Sequence, residues 1–412
     1  MYSFSGKIKL VAIISMVVGL LGIGYSFIAT PSTVEALGAH ASHDPAHAEH
    51  VLHLLQNKPW AALYVAALFF MLISLGVLAF YAINRAAQAG WAPILFRVME
   101  GITGYLPIGA LIFFLLLVFS GLHFNHLFIW MDPAVVAYDK VIQGKTGYLN
   151  VPFFLVRAAV YMLGWIAYRQ ITRKLSKAQD QAHDNRPFVK AFKWSAGFLV
   201  FFLVSESMMS WDWVMSVDPH WFSTLFGWYV FGSLIASAIA AIILVTVTLK
   251  SQGYLEHVND SHLHDLAKYL FGFSIFWTYL WFSQYLLYWY SNIPEEVTYF
   301  VTRLEHYEPI VLSMLAINFL LPLLILVDSD IKRKPWVVGT MAVVILVGHY
   351  LDFFNMIMPA TVGDQWCIGA GEIGSVLFFF GLFTFVTFRT LTKAPLVEKN
   401  HPLMHESEHF HY

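Results

Sequence analysis

Two short stretches place ionisable side chains inside strongly apolar surroundings. The first runs from Glu206 to His220, Glu-Ser-Met-Met-Ser-Trp-Asp-Trp-Val-Met-Ser-Val-Asp-Pro-His, between apolar runs on either side. The second holds His349 and Asp352, three residues apart, with Met356 continuing the same helical face. Glu206, Met209, Ser210 and Trp213 share a face by the same spacing, and Gln284 and Tyr288 are one turn apart. His123 and His126 also lie one turn apart near the end of an apolar run. An ionisable group in an apolar layer is costly and usually has a task. Histidine takes and releases protons near neutral pH, and an embedded carboxylate does so once its environment tunes it. A quinone head group needs the same kit: partners for two oxygens, a proton acceptor and apolar or aromatic walls. The bland reading of each residue is a hydrogen bond between buried helices. Both readings stay open for Glu206, Ser210, His349, Asp352, His123, His126, Gln284 and Tyr288.

The elements that must position these groups are membrane helices. The chain has 412 residues, of which 58% are hydrophobic and 12% charged. Soluble domains average about 25% charged residues, so a polytopic, all-α membrane protein is expected. Ten apolar runs reach the length of about 17–25 residues needed to span. They fall near 8–29, 60–84, 104–130, 151–170, 192–210, 222–249, 266–290, 308–327, 335–358 and 370–391. The first is too long for the apolar part of a signal peptide and reads as a retained helix.

Lys and Arg sort by side. Nineteen of the 24 lie in the termini and in the segments after the second, fourth, sixth and eighth runs. Only Lys58, Lys140, Lys145 and Arg303 fall in the other set, and Arg157 lies within the fourth run. Positive charge stays inside, so both termini are expected in the cytoplasm and Glu206–His220 near the outer face. The polar groups within the runs then gather in the outer halves, as a cavity near that face would require. Arg157 needs a carboxylate, with Asp132 or Glu206 as expected partners. Glu100, beside Arg97, reads as an interface ion pair. Trp130-Met131-Asp132-Pro133 and Ser216-Val217-Asp218-Pro219 form a weak internal echo, each expected to stop a helix.

Several classes are disfavoured. A single cysteine, Cys367, makes no internal disulfide, iron–sulfur cluster or c-type haem attachment. His123 and His126 on one helix face cannot clamp a haem from both sides, so no bound haem is expected. A net charge of −2 gives no argument for nucleic acid. The outer segment 30–59 carries His40, His43, His47, His50 and His53. On a helix, His43, His47 and His50 would share a face and could hold a metal. The alternative is a solvated or partner-contacting loop, and no metal is assigned.

Trp211-Asp212-Trp213-Val214-Met215-Ser216-Val217-Asp218-Pro219-His220-Trp221, Trp281-Phe282-Ser283-Gln284-Tyr285 and Asn292-Ile293-Pro294-Glu295-Glu296 resemble a known family. It is that of the smaller membrane subunit of alternative complex III, within the polysulfide-reductase membrane-subunit (NrfD-like) proteins. The resemblance covers nearly the whole chain. It implies two four-helix bundles, 60–210 and 211–358, with peripheral helices at 1–29 and 359–391, an outer loop at 30–59 and a cytoplasmic tail at 392–412. It implies a subunit of a menaquinol-oxidising complex in a bacterial inner membrane, with no redox cofactor of its own. The partners implied are a larger NrfD-like subunit, a multihaem cytochrome c, an iron–sulfur subunit, lipids and a terminal oxidase. The larger sister's quinol-binding residues do not map onto this chain, so no catalytic residue is assigned. The expectation is a subunit that handles protons and offers a place for quinol. The alternatives are an architectural subunit with a degenerate quinone site, whose Asp212–His220 turn caps the bundles and meets an extrinsic subunit, and a stand-alone secondary transporter.

Overall fold

A computed structural model describes residues 1–35 and 45–411, and among them every regular element is a helix. Nine helical segments are long and apolar enough to cross a membrane among the described residues. They are α1 (Gly6–Ala29), α2 (Pro45–Ala86), α3 (Phe96–Ile102) continued by α4 (Leu106–Gly121), α7 (Val151–Gln179) and α8 (Arg186–Trp213). They continue with α9 (Phe226–Ser251), α12 (Glu308–Leu315) joined through a π turn to α13 (Leu321–Ile325), α14 (Pro335–Val362) and α15 (Ala370–Leu391). The chain is thus an all-α, multi-pass membrane protein. The run at 266–290 lies in α10 (Asp260–Ser291), which is 32 residues long but studded with Trp, Tyr, hydroxyls and Gln284. Short helices α5 (Pro133–Tyr138), α6 (Lys140–Gln143), α11 (Pro294–His306) and α16 (Met404–Glu408) lie outside the spans.

α2 and α9 make the centre, because they are apolar all round and so can be buried on every side. Of their most apolar stretches, 94% and 83% is buried. They cross at Gly76, where a Cβ would stand 2.6 Å from the Leu234 carbonyl oxygen. Around them, α4 and α8 pack on α2 with α7 against α4 and α8, and α10 and α14 pack on α9 with α12 against α14; α14 also touches α2, and α8 also touches α9. α1 is only 11% buried. It leans almost wholly on α15, where a Cβ on Gly374 would meet the Ile23 nitrogen at 2.8 Å. Small residues let two backbones touch, which is how helices associate where lipid competes with side chains for apolar contact. Gly371, against Ser26, and Gly374 both face α1 at this seam.

Three expectations fail locally. The segment 30–59 is not a loop throughout, since α2 begins at Pro45 and continues through Pro59. Ala48, Val51 and Leu52 bury one another with Leu55 there, which gives the extension its own small core. The third run does not continue to 130. Its helix stops at Gly121, and His123 then takes a φ of +62°. Asn125 fixes the break by accepting from Ser120 Oγ (2.8 Å) and the Leu127 N–H (3.3 Å). Asp132-Pro133 does not stop this helix but starts the next one. The Asp132 carboxylate accepts the Ala134 N–H at 2.9 Å, and Pro133 occupies the first helical position.

Both chain ends lie at one end of the molecule, beside most of the Lys and Arg. Tyr2 packs on Phe388 and Tyr254. The segment 392–411 is docked rather than loose. Glu398 is buried against Arg85 and accepts from Ser176 Oγ at 2.7 Å. His401 is buried between the rings of Phe96 and Phe188, and Ser407 Oγ donates to the Trp91 carbonyl. Beneath this strap, Arg97 bonds Asp180 at 2.6 Å and faces Glu100 at 3.6 Å.

A buried carboxylate site on the central helices

Asp352 has no solvent exposure. α14 presents it to α9 and α10, which supply three donors. Ser233 Oγ donates to Asp352 Oδ2 at 2.6 Å, and the Trp277 indole N–H donates to the same oxygen at 2.8 Å. The Tyr229 hydroxyl donates to Oδ1. Tyr229 and Ser233 are one helical turn apart, so α9 addresses both carboxylate oxygens from one face. Ser237, a turn further, donates to the Ser233 carbonyl at 2.7 Å and extends that polar edge along the helix. His349 lies one turn below Asp352, its Nδ1 3.8 Å from Oδ2. Its ring is fully buried, edge-on to Trp277 with centroids 5.5 Å apart, and among the described residues neither ring nitrogen has a hydrogen-bond partner. A buried carboxylate with three donors is well solvated by the protein. An imidazole at this distance is chemically able to exchange a proton with the carboxylate after a small movement.

Glu206 is the second buried carboxyl group. It is 2% exposed on α8, and among the described residues its side chain bonds only Ser210, whose Oγ reaches Oε1 at 3.1 Å and the Glu206 carbonyl at 3.0 Å. Among the described residues no cation pairs with it, and no hydrogen bond or ion pair joins it to Asp352. The two carboxyl groups are separate sites.

Arg157 takes neither expected partner. Its Nε and Nη2 each donate to Asp212 at 2.8 Å, one to each carboxylate oxygen. Tyr161 donates to the same carboxylate at 3.1 Å, and the guanidinium lies 3.8 Å from the Tyr148 ring centroid. Asp132 is occupied as a helix cap, and Glu206 sits on another face of α8. Asp212 is therefore a buried clasp between α7 and α8, not part of an exposed turn. Trp213 and Trp221 are buried as well, and the outward groups of this stretch are His220 and the adjoining Phe222. His220 Nε2 lies 2.6 Å from Asp139, and that hydrogen bond is the leading reason the Asp139 carboxyl is held below its usual range.

His123 and His126 are exposed in the irregular segment after α4, not on a membrane helix. His126 is tied through its backbone to Asn57, and its ring meets His53 edge-on at 6.0 Å. Gln284 is buried with its amide nitrogen unbonded, and Tyr288 donates to the Phe222 carbonyl at 3.0 Å. An apolar groove of about 580 Å³ opens between α10 and the α12–α13 segment, walled by Trp281, Phe282 and Phe319. Asn318, on the π turn beside this groove, is fully buried with its side-chain amide unbonded. His40 and His43 lie outside the described residues. Among the described residues no group of three or more His, Cys, Asp or Glu is placed to hold a metal.

Sequence reasoning named Asp352 and His349 but missed Tyr229, Ser233 and Trp277. The available signal was the polar Tyr229, Ser233, Ser237 ladder in an otherwise apolar run. Comparison with protein-family models and with curated proteins gives no match for this chain.

Proposed function

We propose that this chain is a ten-span subunit of a menaquinol-oxidising respiratory complex, of the alternative complex III type, and that it handles protons without a redox cofactor of its own. The observation that carries the proton role is the Asp352 site, in which a carboxylate held by Tyr229, Ser233 and Trp277 faces the unbonded ring of His349. Membership in the complex is supported by the Trp211–Trp221 stretch and its companions at 281–285 and 292–296. The packing of α4 and α8 on α2 with α7 against α4 and α8, and of α10 and α14 on α9 with α12 against α14, supports two four-helix bundles, with α10 as the tenth span. The gathering of Lys and Arg at the end that holds both termini supports a cytoplasmic placement of that end in a bacterial inner membrane. The groove beside the π turn offers menaquinol or a lipid chain an apolar berth. The larger NrfD-like subunit, multihaem cytochrome c, iron–sulfur subunit and terminal oxidase are the proposed partners.

Asp352→Asn and His349→Gln, made separately, test the proton role in the assembled complex. Reduced quinol oxidation or proton release in either variant is the expected result. Unchanged rates and proton yield in both would leave an architectural subunit. That second reading is favoured by one observation, the complete closure of Asp352 within the chain. Copurification tests the setting, since a stand-alone transporter would come out without multihaem or iron–sulfur partners.

A further inference from the structure

One polar contact, at the end of the molecule away from both termini, is shorter than its atoms allow for a hydrogen bond. Lys58 on α2 brings its amine nitrogen to 2.7 Å from the sulfur of Cys367, 309 positions later in the loop before α15. An N–H···O bond runs about 2.9–3.0 Å, and about 2.7–2.9 Å when charge assists it. Sulfur is a larger atom than oxygen, so an amine resting on a thiol stands further off than either. At the other limit, two bonded sulfurs are about 2.0 Å apart, and a direct sulfur–nitrogen bond is shorter still. The observed separation lies between contact and bond. It is the span of two bonds that share one small atom.

The surroundings leave the two groups to each other. Among the described residues the Lys58 amine makes no ion pair, and the carboxylates of the same segment are engaged elsewhere. Asp364 accepts from the Gln365 amide at 2.8 Å, and Glu372 accepts the Gly369 N–H at 2.9 Å. The loop is fixed without the sulfur. Asn57 donates to the Thr361 carbonyl at 3.4 Å, Tyr307 to the Gly363 carbonyl at 2.6 Å, and the Trp366 indole to the His306 carbonyl at 2.7 Å. Amine and sulfur are thus held in a near-attack arrangement. Cys367 is exposed, so a dissolved oxidant reaches it.

We infer that Lys58 and Cys367 become joined through a single oxygen, a covalent N–O–S bridge, when the chain meets dioxygen. Thiol, amine and dioxygen give the bridge and one water. The S–O and N–O bonds form, while the O–O bond, the S–H bond and one N–H bond break. The second oxygen leaves as water with both hydrogens. Sulfur and nitrogen each give up two electrons, and dioxygen takes all four. Two equivalents of a dithiol reductant return them, restoring thiol and amine and releasing the bridging oxygen as water. Oxidised cysteine is already known to condense with nitrogen, and a neighbouring amine diverts it from the irreversible sulfinic and sulfonic acids. The bridge also ties α2 to the loop that leads into α15. It closes a loop of more than three hundred residues, so the oxidised chain is the more stable form.

The test uses the full-length chain in detergent, one portion purified in air and one without oxygen in the presence of dithiothreitol. Digestion under denaturing conditions and mass spectrometry follow the peptides that carry Lys58 and Cys367. The air portion should yield them as one cross-linked pair, heavier than the two peptides by one oxygen and lighter by two hydrogens. Maleimide labelling of Cys367 should be lost in air and restored by dithiothreitol. The air portion should also unfold at a higher temperature than the reduced one. Lys58→Arg and Cys367→Ser should each abolish the cross-link and the temperature difference. Full maleimide labelling of the wild type after air would overturn the bridge, and so would a sulfinic or sulfonic Cys367 free of Lys58. A cross-link that lacks the oxygen would overturn the N–O–S linkage. These outcomes are read on the wild type, so they hold even if a variant folds poorly.

Discussion

Replacing Arg157 with Met tests whether the α7–α8 clasp is the pair seen here. The change removes both 2.8 Å hydrogen bonds to Asp212 and leaves a fully buried carboxylate with the Tyr161 hydroxyl at 3.1 Å. Stranding one charge of a buried pair costs about 3–5 kcal/mol. Asp212→Leu should cost less, about 2 kcal/mol, because Arg157 keeps the Tyr148 carbonyl at 2.9 Å and the Tyr148 and Phe153 rings. The double variant removes both charges and should recover most of the loss, giving a coupling of about 2–4 kcal/mol. The assay is reversible unfolding of the full-length chain in mixed micelles as denaturing detergent is raised, with far-UV circular dichroism as readout. Asp132→Asn and Glu206→Gln serve as controls and should show no coupling to Arg157→Met. Additive single costs in the Arg157/Asp212 double variant would refute the clasp. Coupling to Asp132 or Glu206 instead would show that α8 is rotated from its position here.

Tyr229→Phe removes one of three donors to Asp352, and should cost about 1–2 kcal/mol in the same unfolding assay. Gly76→Val should prevent α2 and α9 from closing, since its Cβ has 2.6 Å to the Leu234 carbonyl oxygen, and should lower folded yield on size exclusion. The strap at 392–411 should release on acidification. Burial, aided by the nearby Arg85, pushes His401 down to about 3, against an ordinary value near 6.5. The released chain binds the proton first, so docking is complete above pH 6.5 and weakens as pH falls from there toward 3. At pH 5 the loss is about 2 kcal/mol, and protease cleavage after Lys393 or Lys399 should rise, an increase that His401→Phe should abolish.

The membrane helices were legible because apolar length alone marks a span. Asp352 and His349 were legible because spacing of three places two polar groups on one face. Their partners were not, since Tyr229 and Trp277 stand 123 and 75 positions away in the chain. The partner of Arg157 turned on the phase of α8. Glu206 and Asp212 are six residues apart, about 240° around the helix at 3.6 residues per turn, so only one can face α7. Hydropathy placed His123 and His126 inside a span because Leu, Phe, Ile and Trp surround them. It carries no signal for the positive φ at His123 or for the Asn125 turn that ends α4.

The seam between α1 and α15 sets a schedule for biogenesis. α1 leaves the ribosome long before its partner exists, and more than three hundred residues must be made before Gly374 can meet Ile23. The apolar surface that α1 shows to lipid in the finished protein is also what would hold it in the bilayer through that interval. Closure of the seam is then a late act of assembly, in which lipid between two glycine-bearing faces is squeezed out. A chain arrested before α15 would carry α1 as a tethered but unlatched helix, exposed to membrane quality control.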